Sequence, residues 1–267
     1  MREPVAHEAL EAARGYEQLF VPALFAPWTQ HLVDAANVHP GQRVLDVACG
    51  TGVLARHAHR VVGDAGRVYG IDPAPGMIAV AEEIAPEIEW ALGSAEQLDF
   101  ADGAFDAVLS QFGMMFFADH DRALAEMQRV LVSGGKVAVA VWNSPDHNPA
   151  HDTLSLVLDE LVSKAAGDAV RLPFSMGDVD ALAKLFERAG FADVTVDTRS
   201  EQGRFPSART MVEAELRGWL PLFDINLSEA QIADVLAKAD SRLSDYVALS
   251  GETDFPTSAH IVIAAKS

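Results

Sequence analysis

A doubly wound α/β sheet is the fold class that this sequence predicts, and three observations predict it. Apolar bursts rich in Val, Ile and Ala alternate with longer helical patterns through most of the chain. Several bursts are apolar on both faces, as strands buried between two helical layers must be. The first of them, in "RVLDVACGTGVLA" at 43–55, runs straight into a glycine turn that opens a helix. Strand–helix alternation of this kind sets parallel strands side by side through right-handed crossovers.

The elements follow in order. Strands are expected at 43–48, 67–72, 88–93, 105–111, 136–143 and 191–198, and a seventh at 259–266 closes the chain. Helices fall between them at "LARHAHRVV", "GMIAVAEEI" and "DRALAEMQRVL". The last of these is expected to stop at Gly134 and Gly135, since glycine is the usual residue just past a helix end. Two regions stand outside the alternation. Residues 6–40 read as one or two helices carrying Tyr16, Phe20, Phe25 and Trp28. Residues 205–255, between strands six and seven, read as helices too long for a hairpin loop. The expected organisation is an N-terminal helical cover (1–40), a core (41–204), a helical lid insertion (205–255) and the final core strand (256–267).

Composition bounds the partners. A chain of 267 residues, 49% hydrophobic, can bury a large core as one domain with an insertion. Its formal charge of -19 repels phosphate backbones and anionic lipid, which argues against nucleic acid and membrane surfaces. Cys49 is the only cysteine, so no intrachain disulfide framework exists and a reducing compartment fits. The N-terminus lacks an apolar leader core, and runs such as "FGMMFFA" are too short to span a bilayer. A soluble cytoplasmic protein is expected, monomer or homodimer, with a small-molecule partner.

The glycine turn carries the chemistry. Gly50, Gly52 and Ala55 satisfy G-x-G-x-x-G/A, which brings bare backbone close to a nucleotide at the carboxyl edge of the sheet. Asp72, twenty residues past Gly52, is placed to accept both ribose hydroxyls. To this point a nicotinamide dinucleotide and an adenosyl ligand fit equally. Asp46 separates them. A carboxylate beside a pyrophosphate is repelled by about 1 to 4 kcal/mol per charge pair at ~4 Å. The same carboxylate suits the ammonium of S-adenosylmethionine, which has no phosphate.

"VLDVACGTG", "VYGIDPAPGMIAVA", "GSAEQLDFADGAFDAVLSQFGMMFF" and "EMQRVLVSGGKVAVAVW" stand here in one register. Over roughly residues 40–143 the chain resembles the class I S-adenosylmethionine-dependent methyltransferases, in the small-molecule branch similar to ubiquinone/menaquinone C-methylases. The resemblance implies a Rossmann-like seven-stranded sheet, mostly parallel with an antiparallel last strand. It implies that Asp46, Ala48, Gly50 and Gly52 hold the methionine part, and that Asp72 holds the ribose with Pro73 and Met77 flanking it. Ser94, Ala95 and Glu96 fall at the adenine, and Gln111 points at the cofactor and the substrate mouth. Ser94 and Asp99 depart from the family, which usually has Asp and Pro there. A serine hydroxyl still accepts from the adenine amino group, without charge assistance.

The other candidates divide between packing and function. Tyr16, Trp28, Met115 and Trp219 are core residues or walls of an acceptor pocket. Met211, Leu216, Trp219, Leu220 and Phe223 form a stripe at helical spacing that must bury against something. Strand four ends "SQFGMMFF" rather than in an Asn-Pro-Pro-aromatic loop, a second argument against nucleic-acid bases. His147 and His151, four apart, can share a helix face; either is a candidate general base or an exposed loop histidine. No HExxH, paired CxxC or Gly-x-Ser-x-Gly is present, so no metal and no serine hydrolase is expected. Cys49 reads as packing under the loop. The sequence predicts methyl transfer to a small apolar or aromatic acceptor, with the accepting atom open. A nicotinamide-dependent reductase and a non-catalytic cofactor-binding regulator are the alternatives.

Overall fold

Seven strands form one sheet in the computed structural model, which describes residues 5–267. Residues 1–4, part of the expected N-terminal cover, lie outside the described residues. In chain order the strands are β1 (Arg43–Val47), β2 (Arg67–Asp72), β3 (Glu89–Leu92), β4 (Phe105–Gln111), β5 (Leu131–Trp142), β6 (Ala192–Phe205) and β7 (Thr253–Ala265). They lie side by side as β3-β2-β1-β4-β5-β7-β6. The first five pair in parallel, with Asp46 opposite Gly70 on one side and Leu109 on the other. β7 runs antiparallel to β5, since Gly134 N–H reaches Lys266 O while Asn143 N–H reaches Ser258 O. The sheet is therefore mostly parallel with an antiparallel end, as expected. Strand order reverses between β1 and β4, the place where such sheets bind ligands.

The helices are α1 (His7–Gly15), α2 (Thr29–Ala35), α3 (Val53–Val62), α4 (Pro75–Ile84), α5 (His120–Val130), α6 (Pro149–Leu161), α7 (Lys164–Arg171), α8 (Val179–Arg188), α9 (Ala208–Ala214) and α10 (Glu229–Arg242). A π-helical stretch, Tyr16–Phe25, and a 3-10 turn, Ala26–Trp28, join α1 to α2. None of these helices is long and apolar enough to cross a membrane, among the described residues.

One expectation fails at Gly134 and Gly135. Helix α5 ends earlier, at Val130, and the next residue already begins β5. Both glycines sit inside the strand. The pairing with β4 slips there, from Phe105 opposite Leu131 to Ala107 opposite Lys136. Gly134 takes a positive φ of 76°, and a Cβ on Gly135 would stand 2.9 Å from Val132 O. The pair makes an irregularity in β5 rather than a helix stop, because glycine serves both purposes equally well.

The chain forms two compact units. The first takes in the chain up to Val141, Gly177–Arg199 and Ala259–Ser267; the second is Trp142–Met176 with Ser200–Ser258. In the first, α1 lies on α4 so closely that a Cβ on Gly76 would meet Ala9 O at 2.4 Å. Arg14 and Glu83 close the same contact with a 3.0 Å ion pair. In the second, α6 packs on α7 and α10. Asp159 of α6 holds Arg171, and Glu160 holds Lys238 and Arg242. Trp219 donates its indole N–H to Ala169 O at 2.9 Å and packs edge-on to Phe223.

The α1–α4 contact yields a paired test. Gly76→Ala should lose about 1–3 kcal/mol by overpacking. Gly15→Ala, at a helical position with nothing within 4 Å, should gain about 0.5–1 kcal/mol. Urea unfolding of the two variants measures both; equal effects would show that α1 does not rest on Gly76.

Candidate active site

The site is built where β1 ends. Val44, Leu45 and Val47 anchor the strand in the core, and Asp46, on the same face as Val44, is equally buried. Beyond it Ala48, Gly50 and Gly52 take φ values of 57°, 55° and 87°. Alternating left-handed residues turn the chain sharply and open α3. At Gly52 only glycine fits, since a Cβ there would stand 2.3 Å from the Trp90 ring. Cys49 donates its N–H to Ile71 O, and its side chain is buried against Gly70, as packing required. Burial, then Asp46 and Asp72, pushes its thiol well up, so it stays protonated.

Two carboxylates converge on this turn. Asp46 Oδ2 accepts from Ala55 N–H at 2.9 Å, while its Oδ1 is buried with no hydrogen-bond partner. Asp72, at the end of β2, accepts from Gly50 N–H through one oxygen and from Ala74 N–H through the other, each at 2.9 Å. Burial pushes Asp46 up to about 8; the Ala55 N–H opposes this, and the charge of Asp72 adds to it. Burial also raises Asp72, against the two N–H donors. On the neighbouring strand, Gln111 donates to Phe25 O at 3.0 Å, and its Oε1 is a second buried acceptor without a partner.

S-adenosylmethionine fits this set. Its ammonium supplies the donors and the positive charge that Asp46 Oδ1 and Gln111 Oε1 lack. A pyrophosphate brings more acceptors and more negative charge to the same place. Among the described residues no group of three or more His, Cys, Asp or Glu side chains is arranged to hold a metal.

The N-terminal segment sits on the loop. Glu17 accepts from Thr51 Oγ1 at 2.5 Å and from Arg56 at 2.7 Å, and Arg56 also donates to Thr51 O. The Tyr16 ring lies over Gly50, where a Cβ would stand 3.6 Å from its hydroxyl. Burial first, and then Asp72, Glu17 and Asp46, push that phenol well above its ordinary range. Tyr16 stacks on Phe25, Phe25 meets Phe112, and Trp28 packs edge-on to Phe112. Trp28 is wholly buried, so it backs this aromatic row. Phe112 itself has a φ of 56°, joining Ala48 as a left-handed residue other than glycine at the carboxyl edge.

The remaining expected residues fall as follows. Pro73 is exposed and Met77 half-buried at the start of α4. Ser94 bonds the Glu96 carboxylate, whose other oxygen accepts from Ala118 N–H at 2.8 Å. Glu96 thereby ties the segment after β3 to the loop before α5, and Ala95 is buried between them in sequence. Met115 is buried in a 3-10 turn after β4. Trp219 belongs to the second unit. His147 and His151 do not share a helix: Pro149 starts α6 after a separate 3-10 turn, Pro145–His147, in which His147 is exposed beside Asp146. His151 is buried in α6 with its Nε2 3.8 Å from Glu215 Oε1.

Sequence reasoning missed Glu17, Arg56 and Glu215. The first two carry no motif. Glu215 did leave a signal: it lies four residues after Met211 and four before Trp219, inside the stripe expected to be buried.

Comparison with known proteins gives the same picture from another side. A family profile described as "Methyltransferase domain" matches residues 45–139. A ubiquinone/menaquinone biosynthesis C-methyltransferase of Shewanella halifaxensis is 32% identical over 183 residues, 62% of this chain and 73% of that protein. A demethylmenaquinone methyltransferase of Renibacterium salmoninarum is 34% identical over 179 residues, 63% of this chain and 74% of that one. Among solved structures, Haemonchus contortus phosphoethanolamine N-methyltransferase 2 with S-adenosyl-L-methionine has a TM-score of 0.61 at 20% identity, covering 96% of this chain and 57% of that one.

The raised Asp46 has a measurable consequence. Folded protein keeps this proton up to about pH 8, whereas the unfolded chain loses it near 3.8. Its contribution to stability is therefore whole below pH 4 and is lost as pH rises through 8. Asp46→Asn should be more stable than the parent at pH 8, by a margin that shrinks by on the order of 1 kcal/mol per pH unit toward pH 4. Urea unfolding across that range measures the margin; one that grows as pH falls contradicts the assignment.

Proposed function

The chain belongs to the class I S-adenosylmethionine-dependent methyltransferases of the ubiquinone/menaquinone C-methyltransferase type, and from that premise we propose that it methylates a ring carbon of a small hydroxylated aromatic, quinol-type acceptor. Two relatives above 30% identity, each spanned over nearly three quarters of its length, are named for quinone methylation and support this acceptor class. The accepting carbon, rather than oxygen or nitrogen, rests on the same names.

The observation that carries the cofactor site is the pair of buried acceptors without partners, Asp46 Oδ1 and Gln111 Oε1, beside a positive-φ turn. In this reading Asp46 and Gln111 take the ammonium, with Ala48, Gly50 and Gly52 leaving room for the methionine part. Asp72 takes the ribose hydroxyls with the lone pairs that Gly50 and Ala74 leave open, and Pro73 and Met77 flank the sugar. Ser94, Ala95 and Glu96 border the adenine. S-adenosylmethionine supplies an electrophilic methyl group, so the acceptor gains CH3 and loses one proton overall. The protein's own work is to hold the acceptor in line and keep water out. Tyr16 and Glu17 suit the second task, because they lie on the loop already. Residues 205–255 fall in the second unit, where Leu222 and Phe223 present apolar surface that suits a part in acceptor choice. A cytoplasmic setting accords with the lone, buried, protonated Cys49.

S-adenosylhomocysteine at a hundredfold excess over its Kd should stabilise the protein by about 2.7 kcal/mol, and NAD should not. Asp72→Ala removes a charged acceptor worth about 1.5–3 kcal/mol per bond and should weaken S-adenosylhomocysteine at least tenfold by calorimetry. Unchanged affinity would remove Asp72 from the ribose. Stabilisation by NAD alone would overturn the cofactor assignment.

A further inference from the structure

Within the first unit, one aromatic side chain covers the backbone between the two acids of the turn. Asp46 comes just before the turn, in β1, and Gly50 N–H within it donates to Asp72. The hydroxyl end of Tyr16 lies over Gly50. A Cβ there would stand 3.6 Å from the phenol oxygen, 3.7 Å from Cε1 and 3.9 Å from Cζ. Burial, then the acids Asp72, Glu17 and Asp46, hold the phenol's proton on, so a neutral hydroxyl is presented to the turn.

Tyr16 is fixed there from several sides. Its ring stacks on Phe25 at 5.2 Å and 25°, and tilts against Phe20 at 6.1 Å. Phe25 O in turn accepts from Gln111, the residue whose Oε1 is open. The next residue, Glu17, accepts from Thr51 Oγ1, beside Gly50, and from Arg56. A phenylalanine would pack on Phe25 and Phe20 equally well. A hydroxyl turned onto the backbone among three acids is what packing alone does not require.

The covalent order of the ligand decides what comes to that hydroxyl. With its ammonium at Asp46 and Gln111 and its ribose at Asp72, S-adenosylmethionine has its sulfonium between them. The ammonium and ribose are also present in S-adenosylhomocysteine, so neither end tells cofactor from product. Only the sulfur differs, cationic before transfer and neutral after it. Resting on the methyltransferase reading above, we infer that the Tyr16 hydroxyl recognises the sulfonium and so favours the charged cofactor over its neutral product. The phenol oxygen accepts weak C–H···O contacts from the carbons bonded to sulfur, which the positive charge makes better donors. Glu17 is a positioning residue for it. Asp46 and Asp72 also attract a cation between them, so losing the hydroxyl lowers the preference without abolishing it.

Calorimetry with three ligands tests this: S-adenosylmethionine, S-adenosylhomocysteine, and sinefungin, in which an amino-bearing carbon replaces the methylated sulfur and keeps a positive charge there. In the parent protein the two cationic ligands should each bind at least tenfold tighter than S-adenosylhomocysteine. Tyr16→Phe keeps the ring and should cut both preferences about fivefold. Tyr16→Leu, which also gives up the stack on Phe25, should lose at least as much. Phe20→Leu alters packing against the same ring but no group on the turn, and should keep the parental preference. S-adenosylhomocysteine affinity, unchanged in all three variants, reports that each is folded. A Tyr16→Phe protein that keeps the parental preference, or weakens all three ligands equally, overturns the role of the hydroxyl and leaves the methyltransferase reading standing. So does a parent that binds the three ligands alike. A parent that binds none of them overturns the cofactor assignment and this inference together.

Discussion

A carboxylate buried with one oxygen unanswered is the constraint around which the first unit is organised. Asp46 sits buried inside the central strand, and its Oδ1 has no hydrogen-bond partner. Burying an acid there costs stability in the empty protein and returns it when a ligand brings positive charge. The neighbouring features follow from this choice. The turn after β1 must pass close to the ligand, so Ala48, Gly50 and Gly52 take left-handed backbone. Asp72 must be aimed in advance, and two N–H groups of the surrounding loops aim it. Left-handed backbone and a buried acid with a raised pKa at one sheet edge are the marks of a site held ready for a ligand.

The N-terminal segment belongs to the same logic. It is fastened to the sheet edge by α1 on α4, by Glu17 on Thr51 and Arg56, and by Phe25 O on Gln111. The Glu17 fastening lands on the cofactor loop itself, at Thr51, and on Arg56 of the helix that the loop opens. A cover attached at the loop excludes water from the charges beneath it, which strengthens their hold on a cationic ligand.

Most of the sheet was legible because buried parallel strands read as short apolar runs, and β1, β2 and β4 fall within a residue of expectation. The left-handed turn after β1 and the two acids beside it were legible because glycines and acids at fixed offsets have few other uses. Gly134 and Gly135 misled, since glycine ends helices and relieves strands with equal ease. His151 and Glu215 could not be paired from sequence, because 64 residues separate them and only tertiary packing joins their helices. Glu17 was hidden for the same reason: an acid on a helix beside Tyr16 gives no hint that it faces Thr51.

The central claim is that Asp46 waits protonated for a cationic ligand. Calorimetry of S-adenosylmethionine binding at pH 7, repeated in buffers of different ionisation enthalpy, tests it most directly. Asp46, held up to about 8 in the empty site, should ionise on meeting the ammonium, so the observed enthalpy should vary between buffers by close to one released proton. Enthalpies that are identical in every buffer would contradict it.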